Sequence, residues 1–264
     1  MKHGGKKMRY TLITIFGFAF IFIMTTLGSA VVYFFKREIP AKINALFLGF
    51  ASGVMLAASV WSLLLPALEQ SQAFYGQWAF LPAAAGFLCG GVFLTLLDAF
   101  AARFYNGEKG KVKSARLFFA VTLHNIPEGL AVGFAFGAAS VLGSVEAFLS
   151  ALLLVVGIGV QNFPEGAAIS LPALAAGESA HKAFLQGTAS GVAEPIFAAI
   201  GYFLASVLRI LQPWLLSFSA GAMVFVAAQD LIPDAKCDEA PRTGAWGVLF
   251  GFAVMMMLDI AFGG

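Results

Sequence analysis

His124-Asn125-Ile126-Pro127-Glu128-Gly129 and Gln161-Asn162-Phe163-Pro164-Glu165-Gly166 are near copies of one another, and each lies inside a long apolar run. An ionisable side chain is costly to hold in such a run and marks a functional site by default. An α-helix turns about 100° per residue, so positions i, i+3 and i+4 share a face. His124, Asn125 and Glu128 therefore lie on one arc, and Gln161, Asn162 and Glu165 on another. Every one of these side chains can act as a ligand. Each proline lacks an N–H and leaves the carbonyl four residues upstream, on Leu123 and Val160, without its helical partner. The glycine after each glutamate lets a neighbouring helix or a hydrated ion come close.

The apolar runs define the class of protein. Of 264 residues, 60% are hydrophobic and only 11% charged, and the mean hydropathy is +0.87, which excludes an ordinary soluble domain. Runs with few or no charges cover residues 10–35, 43–68, 80–104, 117–142, 147–176, 183–208, 214–231 and 244–261. Each is close to or above the ~20 residues that cross a ~30 Å hydrocarbon core, so the reading is an all-α integral membrane protein of eight helices. Residues 1–264 read as a single transmembrane domain, with a polar cytoplasmic loop at about residues 105–115 that has no histidine tract. The first run is too long for a signal peptide and lacks a small-residue cleavage site, so it counts as helix one. Helix one is apolar and offers no chemistry of its own. Cys89 and Cys237 have neither CxxC spacing nor a common setting, which points away from a disulfide framework or a thiolate metal site.

Charge sets the orientation. Lys36, Arg37, Lys42, Arg103, Lys109, Lys111, Lys113, Arg116, Lys182, Lys236 and Arg242 fall in alternate loops, whereas the opposite loops hold only Arg209. By the positive-inside rule the basic loops are cytoplasmic and both termini lie outside a cell (cytoplasmic or inner) membrane. The basic tail of Lys2, Lys6, Lys7 and Arg9 argues the other way.

A second repeat links distant helices. Phe50-Ala51-Ser52-Gly53-Val54-Met55 in helix two matches Phe218-Ser219-Ala220-Gly221-Ala222-Met223 in helix seven; Ser62 then falls opposite Asp230, and Pro66 opposite Pro233 with a slip of one residue. The two helices run in opposite directions, so the repeat is inverted, a transporter plan that puts the binding site at the repeat interface near mid-membrane.

Depth completes the picture. Glu128 and Glu165 each lie eleven residues from the cytoplasmic end of their helix, or ~16 Å at 1.5 Å per residue, near the midplane. Glu69 and Asp259 fall towards the outside, Glu194 in the middle, and Asp230 and Asp234 towards the cytoplasm. A file of acids with few buried bases describes a cation path better than a set of structural salt bridges. The central ligands are imidazole, carboxylate and amide, which suit divalent first-row metals such as Zn²⁺, Fe²⁺ or Mn²⁺ better than Ca²⁺ or Cu⁺.

These motifs, with Gly191-Val192-Ala193-Glu194-Pro195 in helix six and residues 53–69 of helix two, resemble the ZIP (Zrt/Irt-like) family of divalent metal transporters, in particular its GufA-like branch. The resemblance implies an inverted repeat of helices one to three with six to eight around a helix four and five pair that holds a binuclear site. It implies one metal on His124, Glu128, Gln161 and Glu165 and a second on Asn125, Glu128, Asn162, Glu165 and Glu194, with both glutamates bridging. Met55 and Ser62 would line the outer entrance beside Glu69, and Gln229 with Asp230 the inner exit, with Asp259 towards the outer end of helix eight. Gln161 stands where many members have histidine and Asn162 where some have aspartate, which implies weaker binding at both sites. The expected activity is uptake of a divalent transition metal into the cytoplasm, Zn²⁺ first, with Fe²⁺, Mn²⁺ and Cd²⁺ as further cargo. The metal is then a transported substrate and not a cofactor, and the partners are metal ions, the lipid bilayer and a homodimeric second copy, with no nucleic acid.

Two rivals have different requirements. An intramembrane metal-dependent hydrolase would use metal-bound water with a glutamate base, but HExxH is missing and no substrate-binding feature is visible. A proton or monovalent-cation carrier would leave His124 and the amides without a purpose.

Overall fold

The computed structural model describes the backbone of residues 2–35, 40–104, 109–175, 177–204, 210–236, 238 and 240–262, and most side chains within them. Among the described residues the chain is helical throughout. Helix α1 (Lys2–Ser29) continues as a 3₁₀ turn, Ala30–Phe34; α2 (Ala41–Ala58) passes through a π-helical segment, Ser59–Leu64, into α3 (Leu65–Tyr75); and α4 (Phe80–Phe104) follows. The centre is α5 (Lys109–Leu142) and α6 (Val145–Ala175). Then come α7 (Ala180–Gly191), α8 (Ala193–Leu204), α9 (Gln212–Val226), a second π segment at Ala227–Leu231, α10 (Ile232–Asp234) and α11 (Thr243–Phe262). Among the described residues, six helical stretches are long and apolar enough to cross a membrane: Met8–Phe34, Ala41–Trp78, Phe80–Leu97, Val145–Ala175, Gln212–Asp234 and Thr243–Ala261. This is a multi-pass membrane protein. Of the two remaining expected spans, α5 has a shorter apolar part, Glu128–Leu142, and α7 and α8 share the other. Two details differ from the sequence reading: α5 starts at Lys109, inside the expected loop, and the expected sixth helix is broken at Val192. Pro195 explains the break, because it has no N–H for the carbonyl of Gly191 and its ring crowds that oxygen. Lys36, Arg37, Arg209 and Cys237 lie outside the described residues, as do the side chains of Arg103, Lys109, Lys111, Lys113 and Arg116.

Local chemistry ends the helices where the topology needs them to end. Gly76, Gly143 and Gly177 have φ of 52°, 63° and 95°, left-handed conformations that glycine adopts without a Cβ penalty. After Gly143 the Ser144 hydroxyl accepts from the Ala147 amide at 3.1 Å and caps α6. A connection of two residues forces α5 and α6 to be antiparallel neighbours, which brings the twin motifs together.

The inverted repeat is visible in the packing. The four most extensive helix contacts are α2 with α11, α4 with α9, α5 with α8 and α1 with α6. Exchanging helices one to three with six to eight, and four with five, turns the first contact into the second and the third into the fourth. The backbones meet at equivalent atoms. A Cβ on Gly53 would overlap the Val248 carbonyl, and one on Gly251 that of Phe50; on the other side Gly221 meets the Phe87 carbonyl and Gly90 that of Phe218. Small residues let helices approach closely in a membrane, where no hydrophobic force drives helix association.

The one-residue slip also finds its place. Ser59–Leu64 has six residues and Ala227–Leu231 five, so the two π segments begin in register and end one residue apart. Each precedes a proline, Pro66 and Pro233, which leaves a carbonyl of the segment without its i+4 donor. Wide turns of this kind in a helix recur at functional sites.

Among the described residues, the two largest of three apolar cores flank the centre. One gathers α2, α3, α4, α9 and α11 around Leu48, Met55, Leu63, Leu94, Met223 and Met255. The other joins α1, α5, α6 and α8 around Ile21, Phe136, Phe148, Val155 and Ala198. Val121, Ala131, Ala168 and Ile169 of α5 and α6 reach into the first core, so the twin motifs lie between the two groups. Gly90→Leu and Gly251→Leu should each destabilise the protein by overpacking, by about 1–3 kcal/mol or more. Melting curves of purified protein in detergent should show losses of similar size, because the sites are equivalent.

Candidate metal centre

Side chains from three helices meet at the centre. Asn125 and Glu128 come from α5, Gln161, Asn162 and Glu165 from α6, and Glu194 from the first turn of α8; all six are at most 1% exposed. The backbone of His124 lies in α5, one turn before Glu128, and its side chain lies outside the described residues. No lysine or arginine is among the described buried side chains. The carboxylates depend on amide and hydroxyl donors.

Gln161 joins the two glutamates of the twin motifs. Its Nε2 donates to Glu165 Oε1 at 2.9 Å and also to Glu128 Oε1. The two carboxylates thus share one amide nitrogen as donor, a meeting that the antiparallel register of α5 and α6 allows. Glu194 forms the other pole. Asn162 Nδ2 donates to its Oε2 at 2.6 Å, Asn125 Nδ2 to its Oε1 at 3.3 Å, and the Thr25 hydroxyl to the same Oε1 at 2.7 Å. Asn125 Nδ2 also reaches the Ser190 carbonyl at 3.0 Å, across from the break between α7 and α8.

The other atoms of these groups reveal what the site lacks. Asn125 Oδ1, Asn162 Oδ1 and Glu128 Oε2 are buried and have no hydrogen-bond partner. A buried acceptor without a donor costs about 1–3 kcal/mol. All three are oxygen acceptors, and the two asparagines are equivalent positions of the twin motifs. Oxygen acceptors of this kind are ligands for a cation. Among the described residues, no three His, Cys, Asp or Glu side chains converge closely enough to hold an ion.

Outside this centre the structure gathers some of the expected pathway residues. Ser62, Glu69 and Asp259 line one cavity of about 420 Å³ between α3, α6 and α11. The Ser62 hydroxyl donates to Asp259 Oδ1 at 2.7 Å, while Asp259 Oδ2 is buried without a partner. Gly157 also lines the cavity, one helical turn along α6 from Gln161. On the other side Asp230 is buried in the second π segment, and its neighbour Gln229 is exposed. Met55 is fully buried in the apolar core.

Two residues were not legible as site residues. Met223, the repeat partner of Met55, brings its Sδ to 4.0 Å from Gln161 Nε2; the pairing of the two methionines in the repeat was the available signal. Thr25 overturns the expectation that helix one offers no chemistry. Its hydroxyl also meets the Ile21 carbonyl at 3.3 Å, an ordinary arrangement for a helical threonine, so nothing in the sequence set it apart.

The fold and the centre define a multi-pass membrane transporter built on an inverted repeat around a buried carboxylate and amide site. A family profile described as ZIP zinc transporter matches residues 106–259. The chain is 36% identical to "Zinc transporter GufA" of Myxococcus xanthus, over 86% of this chain and 90% of that protein. It is 34% identical to "Zinc transporter ZIP11" of Xenopus tropicalis, over 91% and 94%, and 30% identical to "Zinc transporter ZupT" of Stenotrophomonas maltophilia, over 91% and 92%. The chain belongs to the ZIP family. It is a metal transporter and not an enzyme, and the hydrolase alternative finds no support.

The bridging role of Gln161 can be tested without any flux measurement. Gln161→Leu leaves Glu128 and Glu165 facing each other without their shared donor, a change that costs several kcal/mol when buried charge is left uncompensated. Thermal unfolding of the metal-free variant in detergent should begin well below that of the wild type.

Proposed function

We propose that the protein takes up divalent transition-metal cations into the cytoplasm, with Zn²⁺ as the principal cargo and Fe²⁺, Mn²⁺ and Cd²⁺ as further substrates. The observation that carries this reading is the set of unpartnered buried oxygens on Asn125, Asn162 and Glu128, in a site with three carboxylates and no described buried base. Relatives that align along most of the chain are named as zinc transporters, which favours Zn²⁺ within the class that the donors select. Nitrogen, amide and carboxylate donors suit borderline divalent ions, and the lack of thiolate suits an ion that must leave again.

The site holds two ions. One is bound by His124, Glu128, Gln161 and Glu165, and the other by Asn125, Asn162 and Glu194, with Glu128 and Glu165 bridging. A hydrated cation enters through the cavity of Ser62, Glu69 and Asp259, passes Gly157, and exchanges waters for the ligands on α5 and α6. It leaves past Met223 towards Asp230 and Gln229 as the two helix groups move against each other. The spare carbonyls at Pro164 and Pro195 offer oxygens to the ion along the way. The protein lies in the cell membrane with both termini outside, so that the basic loops face the cytoplasm.

Purified protein in proteoliposomes should carry Zn²⁺ down an imposed gradient. Glu128→Ala should abolish that flux while inserting and purifying normally, because both ions lose a bridging carboxylate. Wild-type flux in this variant would sink the proposed site.

A further inference from the structure

The inverted repeat gives Glu194 a counterpart, and that counterpart is Thr25. A Cβ on Gly129 would overlap the Glu194 carbonyl, and a Cβ on Gly166 would overlap the Thr25 carbonyl. Gly129 and Gly166 are the last residues of the twin motifs, so Thr25 on α1 and Glu194 on α8 stand at equivalent positions. The repeat is broken there. One half supplies an acid, the other a hydroxyl, and the two meet at 2.7 Å in the middle of the site. Gly191 leaves room for the pair: a Cβ there would stand 2.9 Å from Thr25 Cβ and 3.3 Å from Glu194 Oε1.

We infer that Thr25 is a positioning residue for the ion, acting through Glu194. The Thr25 hydroxyl fixes Oε1 of Glu194, and the fixed carboxylate then takes the Nδ2 groups of Asn125 and Asn162. An amide that gives its nitrogen to Glu194 turns its oxygen the other way. Both Oδ1 atoms are thereby presented, buried and unpartnered, as ligands. Asn162 Nδ2 has a second acceptor in the Ile21 carbonyl at 3.4 Å, one turn before Thr25 on the same helix, so α1 steers this asparagine at two points. Without the hydroxyl, Glu194 is free to rotate and the amides lose their common acceptor. The hydrogen bond therefore sets ion affinity more than the rate of passage.

The inference rests on the reading of the centre as a divalent-metal site, and the test separates the two. Zn²⁺ uptake into proteoliposomes and equilibrium Zn²⁺ binding in detergent would be measured for the wild type, Thr25→Val, Thr25→Ser, Glu194→Gln and the double variant Thr25→Val with Glu194→Gln. Thr25→Val keeps the shape of the side chain and removes the donor. It should raise KM about ten-fold and weaken binding by a similar factor, with kcat within about two-fold of the wild type. Thr25→Ser restores the hydroxyl and should bring KM back to within about two-fold. In the Glu194→Gln background, Thr25→Val should change Zn²⁺ binding by less than about two-fold, because residues that act through one another are not additive. If Thr25→Val fails to purify, Thr25→Ala replaces it in both comparisons. A wild type that neither binds nor carries Zn²⁺ would reject the metal site itself. A wild type that does both, with Thr25→Val unchanged, with Thr25→Ser as impaired as Thr25→Val, or with fully additive effects in the double variant, would reject the positioning role alone.

Discussion

Three carboxylates held between helices, out of reach of any described lysine or arginine, are the constraint around which this molecule is arranged. Moving an ionised carboxylate from water into a low-dielectric interior costs several kcal/mol even after relaxation. Glu128, Glu165 and Glu194 bear that cost together. The protein offsets part of it with neutral donors: the amides of Asn125, Gln161 and Asn162 and the hydroxyl of Thr25. Neutral donors can stabilise charge, but they cannot cancel it. A lysine in the same place would neutralise the site for good and exclude a cation. A site left with spare negative charge and spare oxygen lone pairs can instead be filled and emptied.

The scaffold exists to deliver those donors from several helices at once. Two short-loop neighbours, α5 and α6, bring the twin motifs face to face, and α8 and α1 close over them through glycine contacts at Gly129 and Gly166. The prolines contribute by subtraction. Pro195 separates α7 from α8 and frees the backbone near Ser190, whose carbonyl then anchors Asn125. Pro66 and Pro233 each follow a π segment, where the helix widens. In a bilayer such breaks are tolerated only where protein or a polar cavity receives the freed groups, and here both are at hand.

Much of this was legible in the sequence because the membrane makes polar residues conspicuous. Asn125, Glu128, Gln161, Asn162, Glu165 and Glu194 stand out against aliphatic runs, and their i, i+3, i+4 spacing assigns them to one face of each helix. Of the cavity residues, Glu69 and Asp259 were placed by depth and Ser62 by the repeat and the family resemblance, although their pairing needed coordinates, since Ser62 and Asp259 are far apart in the chain. What escaped notice was neutral. Threonine and methionine are common in apolar helices and carry no charge to betray a role, so nothing singled out Thr25, and Met223 stood out only as the repeat partner of Met55. The one-residue slip between helices two and seven was visible, but a slip in an alignment does not say whether a loop, a bulge or a wider turn absorbs it. The start of α5 was misplaced for another reason: lysine, serine and glycine read as loop residues, yet a helix already committed by the apolar run from residue 117 onwards can extend backwards through them at little cost.

An inverted repeat makes two states of the same protein nearly equivalent, because contacts on one side have counterparts on the other. The matched pairs Gly53 with Val248 and Gly221 with Phe87 are such contacts, as are Gly129 with Glu194 and Gly166 with Thr25. Symmetry of this kind lowers the difference in free energy between a site open to one face and a site open to the other, which is what a transporter needs in order to alternate. Perfect symmetry, however, would leave the ion with no distinct entrance and exit. The departures therefore matter as much as the matches. Ser62 borders a cavity and shares an acid from α11, whereas its counterpart is itself an acid, Asp230, buried in the wider turn. Glu194 carries charge where Thr25 carries only a hydroxyl. The backbone repeats and the polar side chains do not, so the two sides of the centre share a scaffold and differ in their chemistry.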